Sequence, residues 1–170
     1  MSLTARMVMT EKVVTVPRDE SLQSAFDKMK HSHFRHLPVV NGAGEVIGML
    51  SERDLERAMS ADPLYIQNRL SRVEFDPDAV VEDYMTSKLR AIHADAELQE
   101  AAMIMRVERI SSLVVVDDDS VMVGIVTSDD LIRVLIDFLS GRISPTGDYK
   151  SFAYSGPIGA VADFLSQAGI

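Results

Sequence analysis

Apolar and polar positions along the chain follow two alternating rhythms, and their order outlines an architecture. Val13–Val16 is a short β-branched run closed by Pro17, which reads as a strand. Asp19 is placed to cap the helix that follows, where Leu22, Ala25, Phe26 and Met29 recur at i, i+3, i+4 and i+7. Leu37–Val40 and Val46–Leu50 read as paired strands. They are joined by Asn41–Gly42–Ala43–Gly44, a hairpin turn in which glycine tolerates positive φ. A helix starting near Ser51 carries Leu55, Ala58 and Met59. The same order then returns. Leu89–Ile92 predicts a strand, and the next helix buries Leu98, Ala101, Ala102 and Met105. Leu113–Val116 and Met122–Val126 form a hairpin around Asp117–Asp118–Asp119–Ser120. A last helix runs from about Ser128 to Ser140, and Gly141 stops it.

The return is a true internal repeat. Displaced by 76 positions, Met9–Thr10 falls on Met85–Thr86, Lys12 on Lys88, Asp19 on Asp95, and Leu22–Gln23 on Leu98–Gln99. Ala25 and Met29 fall on Ala101 and Met105, and Leu37, Val39 and Val40 on Leu113, Val115 and Val116. Gly48 falls on Gly124, and Asp54–Leu55 on Asp130–Leu131. That is roughly 14 identities over the 47 positions from Met9 to Leu55, without a gap. The reading is therefore a mixed α/β (α+β) chain with one β-α-β-β-α unit at 8–59 and a second at 80–140. A connection at 60–79 contains Asp62–Pro63, Asp76–Pro77 and a short helix around Leu64, Ile66 and Leu70. A tail at 141–170 holds another short helix that starts at Pro157 and carries Ile158, Val161 and Leu165.

Composition narrows the chemistry. The 170 residues are 46% hydrophobic and 25% charged, ordinary for a globular protein. Apolar runs are far too short to span a bilayer, and no basic segment followed by an apolar one marks a secretory signal. There is no cysteine, which excludes disulfides and thiolate zinc sites and makes the cytoplasm the default location. A net charge of −9 disfavours nucleic acid. Any anionic ligand then needs a local arrangement of donors. His31, His33 and His36 lie close together, but no nearby carboxylate or thiol completes a metal-ligand set. Neither a phosphate-binding glycine loop nor a nucleophile elbow is present, and no acid–base pair stands out, so the chain is not expected to be an enzyme.

The duplicated pieces resemble a known family. Val81–Glu82–Asp83–Tyr84–Met85–Thr86 and Met9–Thr10 precede the first strands, and Leu37–Pro38–Val39–Val40 and Leu113–Val114–Val115–Val116 form the second strands. Gly48–Met49–Leu50–Ser51–Glu52–Arg53–Asp54 and Gly124–Ile125–Val126–Thr127–Ser128–Asp129–Asp130 enter the last helices. In this order, and twice, the pattern is similar to a tandem pair of CBS (cystathionine β-synthase-type) domains over about residues 8 to 140. The resemblance implies two units packed as a pseudo-two-fold pair, assembly into a homodimer, and a regulatory role. It also implies an adenosyl ligand, AMP, ADP or ATP, in clefts between the repeats, with S-adenosylmethionine as the alternative. A ligand-free dimerisation or protein-interaction module is the other alternative, and the effector protein is unspecified.

Ser51-x-x-Asp54 and Thr127-x-x-Asp130 stand where a strand becomes a helix. A carboxylate there can accept from a ribose diol, while the hydroxyl and the free N–H groups of the helix start suit ribose or phosphate oxygens. The same spacing is nearly a capping box, and the two roles can coexist. By the resemblance, the residues before the second strands line the cleft: Arg35 and His36 in the first unit, Ser111 and Ser112 in the second. Arg35 and His36 offer phosphate charge that the serines lack, so one tighter site is expected, with the other weak or empty. The resemblance also implies that Val16, Ile92, Leu37, Pro38 and Leu113 contribute the apolar adenine slot, while most of their area is expected to be core.

Overall fold

A computed structural model describes residues 2–61 and 75–143. Short helix α1 (Ala5–Val8) opens the chain. Strand β1 (Val16–Pro17), helix α2 (Leu22–Ser32), strands β2 (His36–Val40) and β3 (Val46–Ser51) and helix α3 (Glu52–Ala61) make the first unit. Helix α4 (Val81–Tyr84) opens the second passage, followed by β4 (Ala91–His93), α5 (Leu98–Glu108), β5 (Ser112–Val116), β6 (Met122–Thr127) and α6 (Ser128–Leu139). Two sheets result, β1-β2-β3 and β4-β5-β6, each with a parallel first pair and an antiparallel second pair. The expected unit is present twice. The helices expected around Leu64 and after Pro157 lie outside the described residues.

The repeat extends to irregular detail. Val40 pairs with Val46 while Val39 pairs with Gly48, a bulge in the first hairpin; Val116 with Met122 and Val115 with Gly124 repeat it in the second. Helices α2 and α5 both end on a non-glycine residue in the left-handed region, His33 (φ 54°) and Arg109 (φ 56°). The first strands are shorter and later than expected. Polar Thr15 and the solvated Val13–Val14 stretch stay outside the ladder, so β1 begins only where Val16 is buried between β2 and α2. The cap of α2 is Ser21, whose hydroxyl accepts from the Ser24 N–H at 3.2 Å; Asp19 stands in the turn before it.

The packing shows an exchange of arms. The first core, around Val16, Leu22, Leu37, Val39, Leu50 and Leu55, is closed by Ala79 and Val81 from the second passage. The second core, around Ile92, Leu98, Leu113, Val115 and Val126, is closed by Ala5 and Val8 of α1. Backbone bonds fix both arms symmetrically. Thr10 and Ile125 exchange N–H···O bonds of 2.9 and 3.1 Å, and Met49 and Thr86 exchange two of 2.9 Å. Further out, the Leu98 N–H donates to Leu3 and the Leu22 N–H to Ala79. Gly48 and Gly124 make the crossing possible. A Cβ on Gly124 would lie 2.6 Å from the Met9 sulfur and 3.0 Å from the Thr10 carbonyl oxygen, and one on Gly48 would overlap the Met85 sulfur. Each compact unit thus takes its lid from the other's segment, which locks the two β-α-β-β-α units into one body.

Candidate functional site

The crossed arms create two clefts between the units. One, of about 600 Å³, is walled by Thr10, Lys12, Val13 and Val14 of the first arm, by His33–His36, and by Ile125, Thr127, Asp129, Asp130 and Arg133. The other, of about 150 Å³, uses the positions 76 residues removed: Thr86 and Lys88–Arg90, Arg109–Ser112, and Met49, Ser51, Arg53 and Asp54, with His36 added. The pseudo-two-fold relation read from the repeat is therefore also a relation between clefts. Each is built from the Ser/Thr-x-x-Asp of one unit and the pre-strand residues of the other. A separate open depression along α2 is the polar outer surface of that helix, where Ser24 and Lys28 already bond Glu20 and Gln23 bonds Asp27.

The two aspartates are nearly inaccessible, 4% and 5% exposed, yet each stands at a cleft. Burial of a carboxylate requires partners. The Ser51 N–H and hydroxyl both donate to Asp54 Oδ2, at 2.8 and 2.6 Å, and Arg57 pairs with Oδ1. In the second unit Thr127 donates twice to Asp130 Oδ2 at 2.8 Å, and Arg133 reaches Oδ1 at 2.6 Å. The cap role of these motifs is real, and it leaves chemistry to spare. A carboxylate offers about four acceptor positions, three of which are used. Because the Ser or Thr proton points at the aspartate, the hydroxyl oxygen can still accept. Two vicinal hydroxyls of a ligand thus find two acceptors at the start of a helix whose free N–H groups face anions.

His36 sits at the joint of the clefts and lines both. Its Nε2 lies 2.9 Å from Ser111 Oγ across the interface of the units. Burial, with Arg35 and Arg53 nearby, lowers its pKa from 6.5 to about 4 despite the opposing charge of Asp129, so the ring is neutral at pH 7. It serves there as a hydrogen-bonding wall and not as the partial cation expected from sequence. Arg35 forms an ion pair with Asp129 across the larger cleft. Ser111 and Ser112 line the smaller one.

The residues expected to form an adenine slot are all deeply buried. Val16, Leu37 and Leu113 are 0% exposed, Pro38 is fully buried and Ile92 is 5% exposed. Leu37, Pro38 and Leu113 lie on the central strands β2 and β5, and Val16 and Ile92 on the strands paired with them, all buried in the two cores beneath the clefts. The apolar lining is supplied by Val13, Val14 and Phe34 in one cleft and by Leu89 and Ile110 in the other. Sequence reading also passed over Lys12, Lys88, Arg90, Arg109, Arg57 and Arg133. Lys12 and Lys88, and Arg57 and Arg133, coincide under the 76-residue displacement, which was the available signal.

Comparison with known proteins agrees with this geometry. The family model described as CBS domain matches twice, at residues 5–61 and 81–137. The chain is 29% identical over 139 residues to a CBS domain-containing protein of Dictyostelium discoideum, covering 82% of this chain and 95% of that one. Among solved structures, the CBS domain pair of protein MJ0100 in complex with 5′-methylthioadenosine and S-adenosyl-L-methionine is similar at 26% identity and TM-score 0.64, over 78% of this chain and 98% of that one. The cytosolic domain of the Mg2+ channel MgtE in complex with ATP is similar at 26% identity and TM-score 0.57, over 75% and 46%. With two model matches that span most of the chain, and with the duplicated crossed-arm fold, the protein belongs to the CBS-domain family.

Proposed function

We propose that this CBS pair is a regulatory sensor of an adenine nucleotide, AMP, ADP or ATP, acting in the cytoplasm as a homodimer that presents its ligand state to an effector protein. The observation that carries the reading is the half-buried Thr127 bonded to buried Asp130 in the lining of a cleft of about 600 Å³ that also holds Lys12 and Arg35. Diol acceptors, an apolar wall and cations together suit ribose, base and phosphate, and the volume lies within the range of small-molecule sites. The likeness to an ATP-bound and a methylthioadenosine-bound CBS structure supports an adenosyl ligand. The second of these also motivates an S-adenosylmethionine reading. It ranks lower because a sulfonium would face Arg35, Lys12 and Arg133 in the larger cleft and four cations in the smaller one. A catalytic role has little support. The Ser111–His36 contact brings a hydroxyl to an imidazole, but a ring with a pKa of about 4 is a poor base at neutral pH.

Thermal unfolding with adenosine, AMP, ADP, ATP and S-adenosylmethionine tests the reading. A ligand confined to the native state and present at 100 times its Kd stabilises by about 2.7 kcal/mol. The expected result is a rise in Tm with an adenine nucleotide. Asp130→Asn keeps a cap oxygen but loses the charge, and should cut that rise while leaving the unliganded Tm within a few degrees. No rise with any of the five would discard the sensor in favour of a ligand-free interaction module.

A further inference from the structure

We propose that Met9 and Met85 form a paired modification site: hydrogen peroxide converts both to methionine sulfoxide, and the added oxygens unseat the crossed arms. The chain has ten methionines and no cysteine, so reversible two-electron oxidation of a side chain falls on thioethers. Met9 and Met85 are set apart by what they touch. They coincide under the 76-residue displacement, and each sulfur occupies the place that a side chain on the opposing glycine would need. The Met9 sulfur lies 2.6 Å and its Cγ 3.0 Å from a Cβ built on Gly124, and Met85 meets Gly48 in the same way. Each methionine also ends an arm helix. The Met9 N–H bonds the Ala5 carbonyl at the end of α1, and the Met85 N–H bonds that of Val81 at the end of α4, both at 2.9 Å. Ala5 and Val81 are fully buried in the core that each arm closes. A sulfur that leaves its glycine therefore pulls on the helix that lids the core.

Both side chains are half-buried, and the next residues, Thr10 and Thr86, are exposed, so a small oxidant meets the sulfurs at the rim of each core. A sulfur lone pair attacks one peroxide oxygen. The S–O bond forms as the O–O bond breaks, and the second oxygen leaves as water with both protons. The thioether loses two electrons and the peroxide gains them. The new oxygen needs volume and a hydrogen-bond donor. The crossing is closed to both needs. Even a methyl group on either glycine would overlap the sulfur, and the Thr10 and Thr86 N–H groups already donate to Ile125 and Met49. The oxygen is accommodated by lifting the arm, which breaks the exchanged backbone bonds. Lifting also withdraws Thr10 and Lys12 from the wall of the larger cleft, or Thr86 and Lys88 from that of the smaller. Oxidation thus acts on both clefts whatever they bind, and reduction of the sulfoxides restores them.

Peptide mapping and amide hydrogen exchange by mass spectrometry, on the full chain before and after hydrogen peroxide, test this. The expected result is one oxygen on each of Met9 and Met85, with exchange at least about tenfold faster in peptides carrying Thr10, Met49, Thr86 and Ile125. Tm should fall by at least about 3 °C. Methionine sulfoxide reductases should reverse both changes in the wild type. Met9→Leu/Met85→Leu, a swap of similar volume, should abolish the peroxide response, while Met7→Leu/Met103→Leu, at two exposed positions, should retain it. The proposal is overturned if peroxide modifies Met7 and Met103 but neither Met9 nor Met85, or if both sulfoxides form without faster exchange at the crossing. It is also overturned if the Met9/Met85 double variant responds like the wild type. Nucleotide binding enters none of these readouts, so the sensor reading stands or falls separately.

Discussion

At the scale of single residues, the site depends on groups whose protonation and hydrogen bonding the fold has reset. His36 is the clearest case. Burial, with Arg35 and Arg53 beside it, holds the ring neutral against the opposing charge of Asp129, with Nε2 against Ser111. A histidine whose folded pKa lies below its unfolded value stabilises the fold fully above about pH 6.5, and that contribution fades as pH falls towards 4 because the unfolded chain takes the proton first. Between pH 7 and 5 the loss is about 2 kcal/mol, from the separation of the two pKa values. Urea denaturation of the wild type and of His36→Gln at both pH values measures this. The difference in stability between the two proteins should shrink at pH 5, and an unchanged difference would mean that His36 does not titrate as described.

Among elements, the turning points are the glycines where the arms cross. β3 and β6 could continue as ordinary hairpin strands with any residue at 48 and 124. They carry glycine because Met85–Thr86 and Met9–Thr10 lie directly over them. Gly124→Ala forces the Met9 sulfur and the Thr10 carbonyl to move and is expected to cost about 1–3 kcal/mol, the usual penalty of overpacking. Gly42→Ala, with nothing within 4 Å, is the matched control and should be nearly neutral. Equal denaturation midpoints for the two variants would remove the close approach as the reason for glycine.

For the whole molecule, the outer face of α6 is the exposed apolar surface that bears on assembly. Ile132, Leu135, Ile136 and Leu139 recur at i, i+3, i+4 and i+7, and they are 53, 52, 45 and 74% exposed. A contiguous exposed apolar stripe of this kind is characteristic of contact surfaces, which supports the proposed homodimer. Light scattering on the wild type should give twice the 18.8 kDa chain mass, and Leu135→Glu should shift the protein to that single-chain mass with its fold intact. A monomeric wild type would remove the dimer from the proposal. Ligand response through such a dimer can be no larger than the difference in ligand affinity between its two packings.

Much of this was legible in the chain because it depends on local periodicity and on duplication. Strand and helix order, the hairpin turns, the stop at Gly141 and the placement of Ser51/Asp54 and Thr127/Asp130 at helix starts all follow from spacing within a unit, and each is repeated 76 residues on. The exchange of arms was not legible. Met9–Thr10 and Met85–Thr86 look the same whichever sheet they join, and only packing across the pair assigns each to the other's core. That crossing brings Arg109 and Lys88 to Asp54, ties Arg35 to Asp129, and turns a sequence-level histidine into a neutral joint between clefts. Local spacing determined which groups the protein has. Contacts between residues far apart in sequence decided which of them face one another, because charge and hydrogen bonding depend on distances in space.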